Sequence, residues 1–317
     1  MTRQRVLVTG ANGFVGRALC AEAVLRGWMV NGVTRQSCYF PCESGIKNYL
    51  VNSIDEETNW QLGLIEVNVV VHLAARVHVM QDKAGDPLAQ FRRINVEGTL
   101  NLARQAAVAG VSRFIFISSI KVNGEATQRG YPFKADDVLM PLDAYSISKM
   151  EAEQGLKKIA AQTGMEVVII RPPLVYGPGV KANFAAMMRW LRHGVPLPLG
   201  AIDNQRSLVA LDNLVDFILT CLTHSAAANQ IFLVSDGEDV STSALLYRMG
   251  EVMNRPARLF PVPMGLLKLA AALVGRRDMA QRLCGSLQVD IEKNRQLLGW
   301  YPPLTLNQGL QKAAQDK

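Results

Sequence analysis

A strand that runs into a glycine-spaced turn and then a helix constrains this chain more than any other stretch. Arg5-Val6-Leu7-Val8-Thr9 is a short β-rich apolar run, Gly10-Ala11-Asn12-Gly13-Phe14-Val15-Gly16 follows it, and residues 17–26 read as a helix. Gly10 permits the tight turn, Gly13 lets backbone approach a pyrophosphate, and Gly16 lets helix pack closely on strand. The helix N-terminus then favours the anion. Gly10, Asn12, Gly13, Phe14, Val15 and Gly16 are therefore candidate cofactor-binding residues. Further apolar runs at 28–34, 67–73, 114–117 and 166–170 supply strands of the kind buried on both faces of a parallel sheet. The expected fold is α/β: a doubly wound parallel sheet with a smaller, mainly C-terminal α/β domain. Residues 1–171 are assigned to the nucleotide-binding domain, with roughly 207–235 returning to it, and 172–317 to the substrate domain.

The strand at 28–34 ends at Arg35, where an NAD-binding protein commonly places an acidic residue on the adenosine ribose. An arginine can pair with a 2′-phosphate instead, which favours NADP(H), with NAD(H) as the alternative. Leu73 closes the 67–73 run, and the small side chains of Ala74 and Ala75 leave room for a ribose and nicotinamide against backbone. His72 reads as a packed structural histidine. Asn95, in a helix expected over 87–109, is placed to tether backbone near the site. Phe114-Ile115-Phe116-Ile117 delivers Ser118 and Ser119 at a carboxyl strand end, where ligands bind in open α/β sheets.

Tyr145 and Lys149 stand one helical turn apart, so a lysine ammonium can sit beneath a phenol oxygen. Such a charge lowers a phenol's pKa from about 10 towards neutrality and makes a usable general acid or base. Pro172 and Pro173 end the 166–170 strand in a rigid wall. Asn183 opens a helix over 183–191, whose N-terminus suits a diphosphate.

Composition excludes several classes. The formal charge is +7, but lysines and arginines come in isolated doublets without a basic tract, so no nucleic-acid partner is expected. Five cysteines and four histidines show no metal spacing, which points to a reduced cytosolic protein without a structural metal. The first strand begins too close to Met1 for a signal peptide. The apolar stretch 264–275 is too short to span a bilayer and contains Lys268; it is read as a second-domain helix, and no membrane partner is expected.

Glycine loop, Asn95-Val96-Glu97-Gly98-Thr99, Ser118-Ser119 and the Tyr145–Lys149 pair occur in the order and spacing of the extended short-chain dehydrogenase/reductases that act on nucleotide sugars, which the chain resembles along nearly its whole length. That resemblance implies a Rossmann-type domain, a UDP-sugar substrate, and Ser119, Tyr145 and Lys149 as catalytic residues, with Tyr145 and Lys149 also touching the cofactor. It places Ser53 and Ile54, in a segment closing a third strand, beside the adenine, and Pro172 beside the nicotinamide. Lys121, Asn123, Asn183, Leu199, Arg206 and Arg282 fall at its substrate-binding positions. Ile120 and Lys121 stand where sugar 4,6-dehydratases carry carboxylates, which argues against dehydration. Helices around Asn95 and Tyr145 pair across a two-fold axis in relatives, implying a homodimer.

Two enzymes share this machinery. A 4-epimerase oxidises a sugar at carbon 4 and returns the hydride to the other face with tightly held NAD. A 4-keto reductase consumes NAD(P)H. Arg35 favours the reductase because biosynthetic reductions draw on NADPH, and the segments 72–79 and 119–125 resemble the bacterial reductases that act on UDP-4-keto-6-deoxy-N-acetylglucosamine in surface-polysaccharide synthesis, so the reductase is the preferred expectation. The epimerase is the alternative, and a non-catalytic NADP-binding sensor a third reading.

Overall fold

The computed structural model describes residues 4–36, 45–77, 86–273, 275 and 277–315. Cys38, Cys42 and His78, together with Val79, lie outside the described residues.

Seven short strands pair in parallel to form the main sheet. They are β1 (Arg5–Thr9), β2 (Met29–Thr34), β3 (Ile46–Leu50), β4 (Val69–His72), β5 (Arg113–Ile117), β6 (Glu166–Arg171) and β9 (Ile231–Leu233). Their order is β3-β2-β1-β4-β5-β6-β9, so the winding reverses between β1 and β4 and opens a crevice at their carboxyl ends. Alternation along the strands loads both faces: Val6 and Val8 of β1 and Ile115 and Ile117 of β5 pack on one side, Leu7, Phe114 and Phe116 on the other. Helix α1 (Phe14–Leu25) packs beside α6 (Leu211–Thr223) on the first side, and α3 (Thr99–Val108) and α4 (Ala144–Thr163) cover the second.

Two expectations change in detail. The third strand ends at Leu50, so Ser53 and Ile54 lie in the loop after it. The helix expected over 87–109 is α2 (Pro87–Arg92), a π-helical stretch at Arg93–Gly98, and α3. The wider π turn lies where Gly98 meets the preceding loop: a Cβ there would lie 2.7 Å from the Ile54 carbonyl oxygen.

A second sheet joins β7 (Leu174–Tyr176), β8 (Arg206–Ala210) and β10 (Asp239–Val240), in the order β10-β8-β7. Its core includes Tyr176, Phe184, Leu208, Leu246 and Leu310, drawn from β7 and β8 and from α5 (Ala182–Arg192), α7 (Thr242–Val252) and α11 (Leu306–Ala314). Between α7 and α11 the chain forms α8 (Met264–Leu273), α9 (Arg277–Cys284) and α10 (Glu292–Leu298). Among the described residues no helix is long and apolar enough to cross a membrane.

Candidate active site

The glycine turn is built as its spacing predicts. Gly10 has φ +65°, and a Cβ there would lie 3.2 Å from the Ala74 backbone. A Cβ at Gly16 would lie 2.1 Å from the Gly10 carbonyl oxygen, so only glycine lets α1 sit this close to the turn. Gly13 is the α1 N-cap and has no side chain to satisfy the first helical amides, which stay available for an anion. Ala74, half-buried after β4, donates its amide to Thr9 Oγ1 at 3.2 Å and so closes the other wall of the crevice. These features fit a dinucleotide.

Behind that wall runs a buried polar chain. Thr99 Oγ1 donates to the Asn95 carbonyl oxygen at 2.8 Å, so it accepts from His72 Nε2–H at 2.9 Å. His72 Nδ1 then accepts from Thr9 Oγ1 at 2.8 Å. Burial lowers the His72 pKa to about 3, with the Lys149 charge as a smaller cause, and keeps the ring neutral. His72 is structural, as expected: it joins β1, β4 and α3. Asn95 is also held in place, its Oδ1 accepting from the Arg76 amide at 2.8 Å and its Nδ2 donating to the Arg76 carbonyl and the Ser148 hydroxyl. It tethers the 76 loop to α4.

Strand β5 ends in two serines with different surroundings. Ser118 is buried and its hydroxyl has no hydrogen-bond partner, which marks a place for a polar group of a ligand. Ser119 is half-buried, its hydroxyl accepts from the Lys121 amide at 3.3 Å, and it lies near enough to the Tyr145 phenol to favour its ionised form. Helix α4 carries Tyr145 because Asp143 caps it, accepting from the Ser146 amide at 2.7 Å in a capping box. Lys149, one turn on, is 1% exposed and lies over the Phe116 ring at 4.4 Å.

The expected effect of Lys149 on Tyr145 is not met in this structure. Burial first and the Asp143 carboxylate second push the phenol up to about 12, with the nearby Ser119 opposing. Burial lowers Lys149 to about 7, with Glu153 opposing. The lysine's charge is thus weak near neutrality, and its ammonium bonds the Ile117 carbonyl.

The expected substrate residues divide. Asn123 is corrected: it is 1% exposed, its Nδ2 donates to the Lys134 carbonyl and its Oδ1 accepts from Arg171, so it belongs to the interior. Lys121 is spoken for as well, donating to Asp143 at 2.5 Å and Glu125 at 3.4 Å. Burial raises the Asp143 carboxyl, but the bonds from Lys121 and Ser146 outweigh it and hold the group below its ordinary value. Asn183 is exposed at the second residue of α5. Leu199 packs in the second domain's core, and its carbonyl accepts from Ser243. Arg206 donates to the Arg282 and Gly285 carbonyls at 2.9 and 3.1 Å, and Arg282 itself is exposed. Arg35 is exposed just past β2, Ser53 donates to Asp55 at 2.7 Å, and Pro172 is buried with its carbonyl accepting from Ile120.

Sequence reasoning missed Asp143, Glu153 and Arg171. The first had a signal, an Asp three residues before Ser146 at a helix start. The Glu153–Arg171 pair, bidentate at 2.9 and 2.6 Å and almost fully buried, had only the helical spacing of Glu153 from Lys149. A groove of about 1190 Å³ between α1 and α6 opens beside Asn12, Gly13 and Phe14 but includes none of Ser119, Tyr145 and Lys149.

A model of the NAD dependent epimerase/dehydratase family matches residues 6–235. The chain is 49% identical over 312 residues to a UDP-glucose 4-epimerase of Vibrio cholerae, covering 98% of this chain and 94% of that one. It is 26% identical to the N-acetyl-alpha-D-glucosaminyl-diphospho-ditrans,octacis-undecaprenol 4-epimerase of Escherichia coli O157:H7, over 98% of this chain and 94% of the relative. Among solved structures, a UDP-glucose 4-epimerase of Thermotoga maritima with UDP-glucose superposes with a TM-score of 0.79, at 23% identity and 98% coverage of each chain. That likeness shows the fold.

Proposed function

The chain belongs to the NAD dependent epimerase/dehydratase family, the extended short-chain dehydrogenase/reductases, and from that premise we propose that it acts at carbon 4 of a UDP-linked hexose, as a UDP-hexose 4-epimerase. The observation that carries the reading is the joining of two elements at the end of β5: Ser119 follows that strand end, and α4, which carries Tyr145 and Lys149 one turn apart, is tied to it by the Lys149 bond to the Ile117 carbonyl. The 49% identity to a UDP-glucose 4-epimerase moves the weight from the one-way reduction suggested by Arg35 to epimerisation.

Tyr145 exchanges a proton with the sugar's carbon-4 oxygen, and Ser119 hydrogen-bonds the same atom as its charge changes. With its pKa near 12 the phenol is a proton donor as it stands. Taking a proton from a sugar hydroxyl requires added positive charge beside it, and Lys149 is the residue one turn away that can gain it. Gly10, Gly13 and Gly16, with Ser118 and Ala74, would hold the nicotinamide dinucleotide, which supplies the hydride acceptor and donor. Arg206 and Arg282, adjacent at the rim of the second domain, are our candidates for the diphosphate, with Asn183. In this reading residues 1–171 and the return at 207–235 carry the cofactor, and 172–317 carry the substrate. We further propose a homodimer through α2–α4, where Ile94, Val96 and Ile147 are half-buried.

A second reading keeps the reductase, and Arg35 is its specific observation: an exposed guanidinium at the end of β2, suited to a 2′-phosphate. One experiment separates the two. The purified protein is denatured and its released nucleotide identified, then UDP-glucose is offered alone and UDP-4-keto-6-deoxy-N-acetylglucosamine is offered with NADPH or NADH. Tight NAD with formation of UDP-galactose establishes the epimerase. Stoichiometric loss of reduced cofactor on the keto sugar, without epimerisation, replaces it with the reductase.

A further inference from the structure

Helix α8, Met-Gly-Leu-Leu-Lys-Leu-Ala-Ala-Ala-Leu, is apolar on two sides. Met264 and Leu267 turn inward and pack against the second domain's core. Leu266, Leu269 and Leu273 recur at helical spacing on the other side and are 56%, 57% and 81% exposed. A helix this apolar is normally buried all round, and none of α8's residues is fully buried. Phe260, four residues before the helix, is 47% exposed as well.

The charge along the segment that carries this helix is not diffuse. Residues 255–282 hold Arg255, Arg258, Lys268, Arg276, Arg277 and Arg282 against the single acid Asp278, a balance of six minus one, or +5, out of +7 for the whole chain. Glu251 stands just outside that span. Arg255, Arg258, Lys268 and Arg282 are exposed. A second copy brought to this face would meet the same positive charge, and a nucleic acid would leave the leucines without a partner. An anionic bilayer meets both needs: apolar side chains enter the interface while cations meet the headgroups.

We propose that the outer face of α8 is a peripheral membrane-docking surface, which lays Leu266, Leu269 and Leu273 into the interface of an anionic bilayer while Arg258 and Lys268 meet its headgroups. Ten residues span about 15 Å as a helix, too short to cross and suited to lie in the plane. The α8–α9 unit also borders the candidate substrate site, since Arg206 bonds the Arg282 carbonyl near the end of α9. This departs from the sequence-based expectation of no membrane partner, and it does not depend on which carbon-4 reaction the site performs.

The test is co-sedimentation of the full chain with vesicles of phosphatidylcholine alone and of phosphatidylcholine mixed equally with phosphatidylglycerol. The protein is expected to pellet with the anionic vesicles only, and to do so less as salt rises. Leu266→Glu/Leu269→Glu/Leu273→Glu should keep its fold and turnover and lose vesicle binding at least about ten-fold; Arg258→Glu/Lys268→Glu, which leaves the leucines in place, should weaken it by about five-fold or more per residue. No binding to anionic vesicles, equal binding to both kinds, or binding unchanged in either variant would overturn the proposal. So would a leucine variant that changes the oligomeric state of the free protein, which would make the face a contact between copies, or a face occupied by an acidic protein in place of lipid.

Discussion

The Lys149 ammonium donates a 2.9 Å hydrogen bond to the carbonyl oxygen of Ile117, the last residue of β5. Two elements of the site are thereby joined, because the same strand end delivers Ser118 and Ser119 and the same helix delivers Tyr145. The bond also holds a lysine in a place where burial disfavours its charge.

That burial predicts a pH dependence of stability. Lys149 has a folded pKa of about 7 against 10.5 in the unfolded chain. Above 7 the unfolded state binds the extra proton, so the lysine's contribution to stability rises between about 7 and 10.5 and is lost as pH falls through 7. Thermal unfolding of the ligand-free protein and of Lys149→Met across this range should show the two curves diverging; parallel curves would contradict the assignment.

His72 predicts a second window. Its pKa of about 3 in the fold, against 6.5 unfolded, is a contribution fully present above 6.5 and lost as pH falls towards 3. His72→Gln should be less stable than wild type at neutral pH, since Thr9 and Thr99 lose the ring between them. Its stability should then fall less steeply with acid, read by denaturant midpoints at a series of pH values.

The pair Arg171–Glu153 carries a third prediction. The guanidinium makes two bonds to Glu153 and one each to Asn123 and the Ala135 carbonyl, all in the interior. Glu153→Ala strands a buried cation and should cost about 3–5 kcal/mol. Asn123→Ala removes one acceptor and should cost about 1–3 kcal/mol. Urea unfolding measures both, and a neutral Asn123→Ala would return that residue to the list of cleft contacts.

The comparison of residues shows what a sequence can and cannot carry. The glycine turn, the buried strands and the Ser119, Tyr145 and Lys149 spacing are local patterns, and the structure builds them nearly where the patterns put them. The failures are side chains whose partners lie far along the chain. Asn123 looks like a cleft residue until Arg171 claims it from 48 positions away, and Lys121 looks free until Asp143 pairs with it from 22 away. The π turn at Arg93–Gly98 is invisible to periodicity because it arises where Gly98 meets the Ile54 carbonyl across the fold. The charge on Lys149 failed for a different reason: proximity to Tyr145 is legible as a spacing of four, but desolvation is set by everything packed around the ammonium.

The central claim is that Tyr145 moves the proton at the sugar's carbon-4 oxygen, and one substitution tests it most directly. Tyr145→Phe keeps the ring that meets Phe91 edge-on and removes only the hydroxyl. Turnover of UDP-glucose, or of the 4-keto sugar if that is the substrate, should fall by about 10²–10⁴-fold while nucleotide binding, measured by calorimetry, stays unchanged. Turnover within a few-fold of wild type would contradict the account.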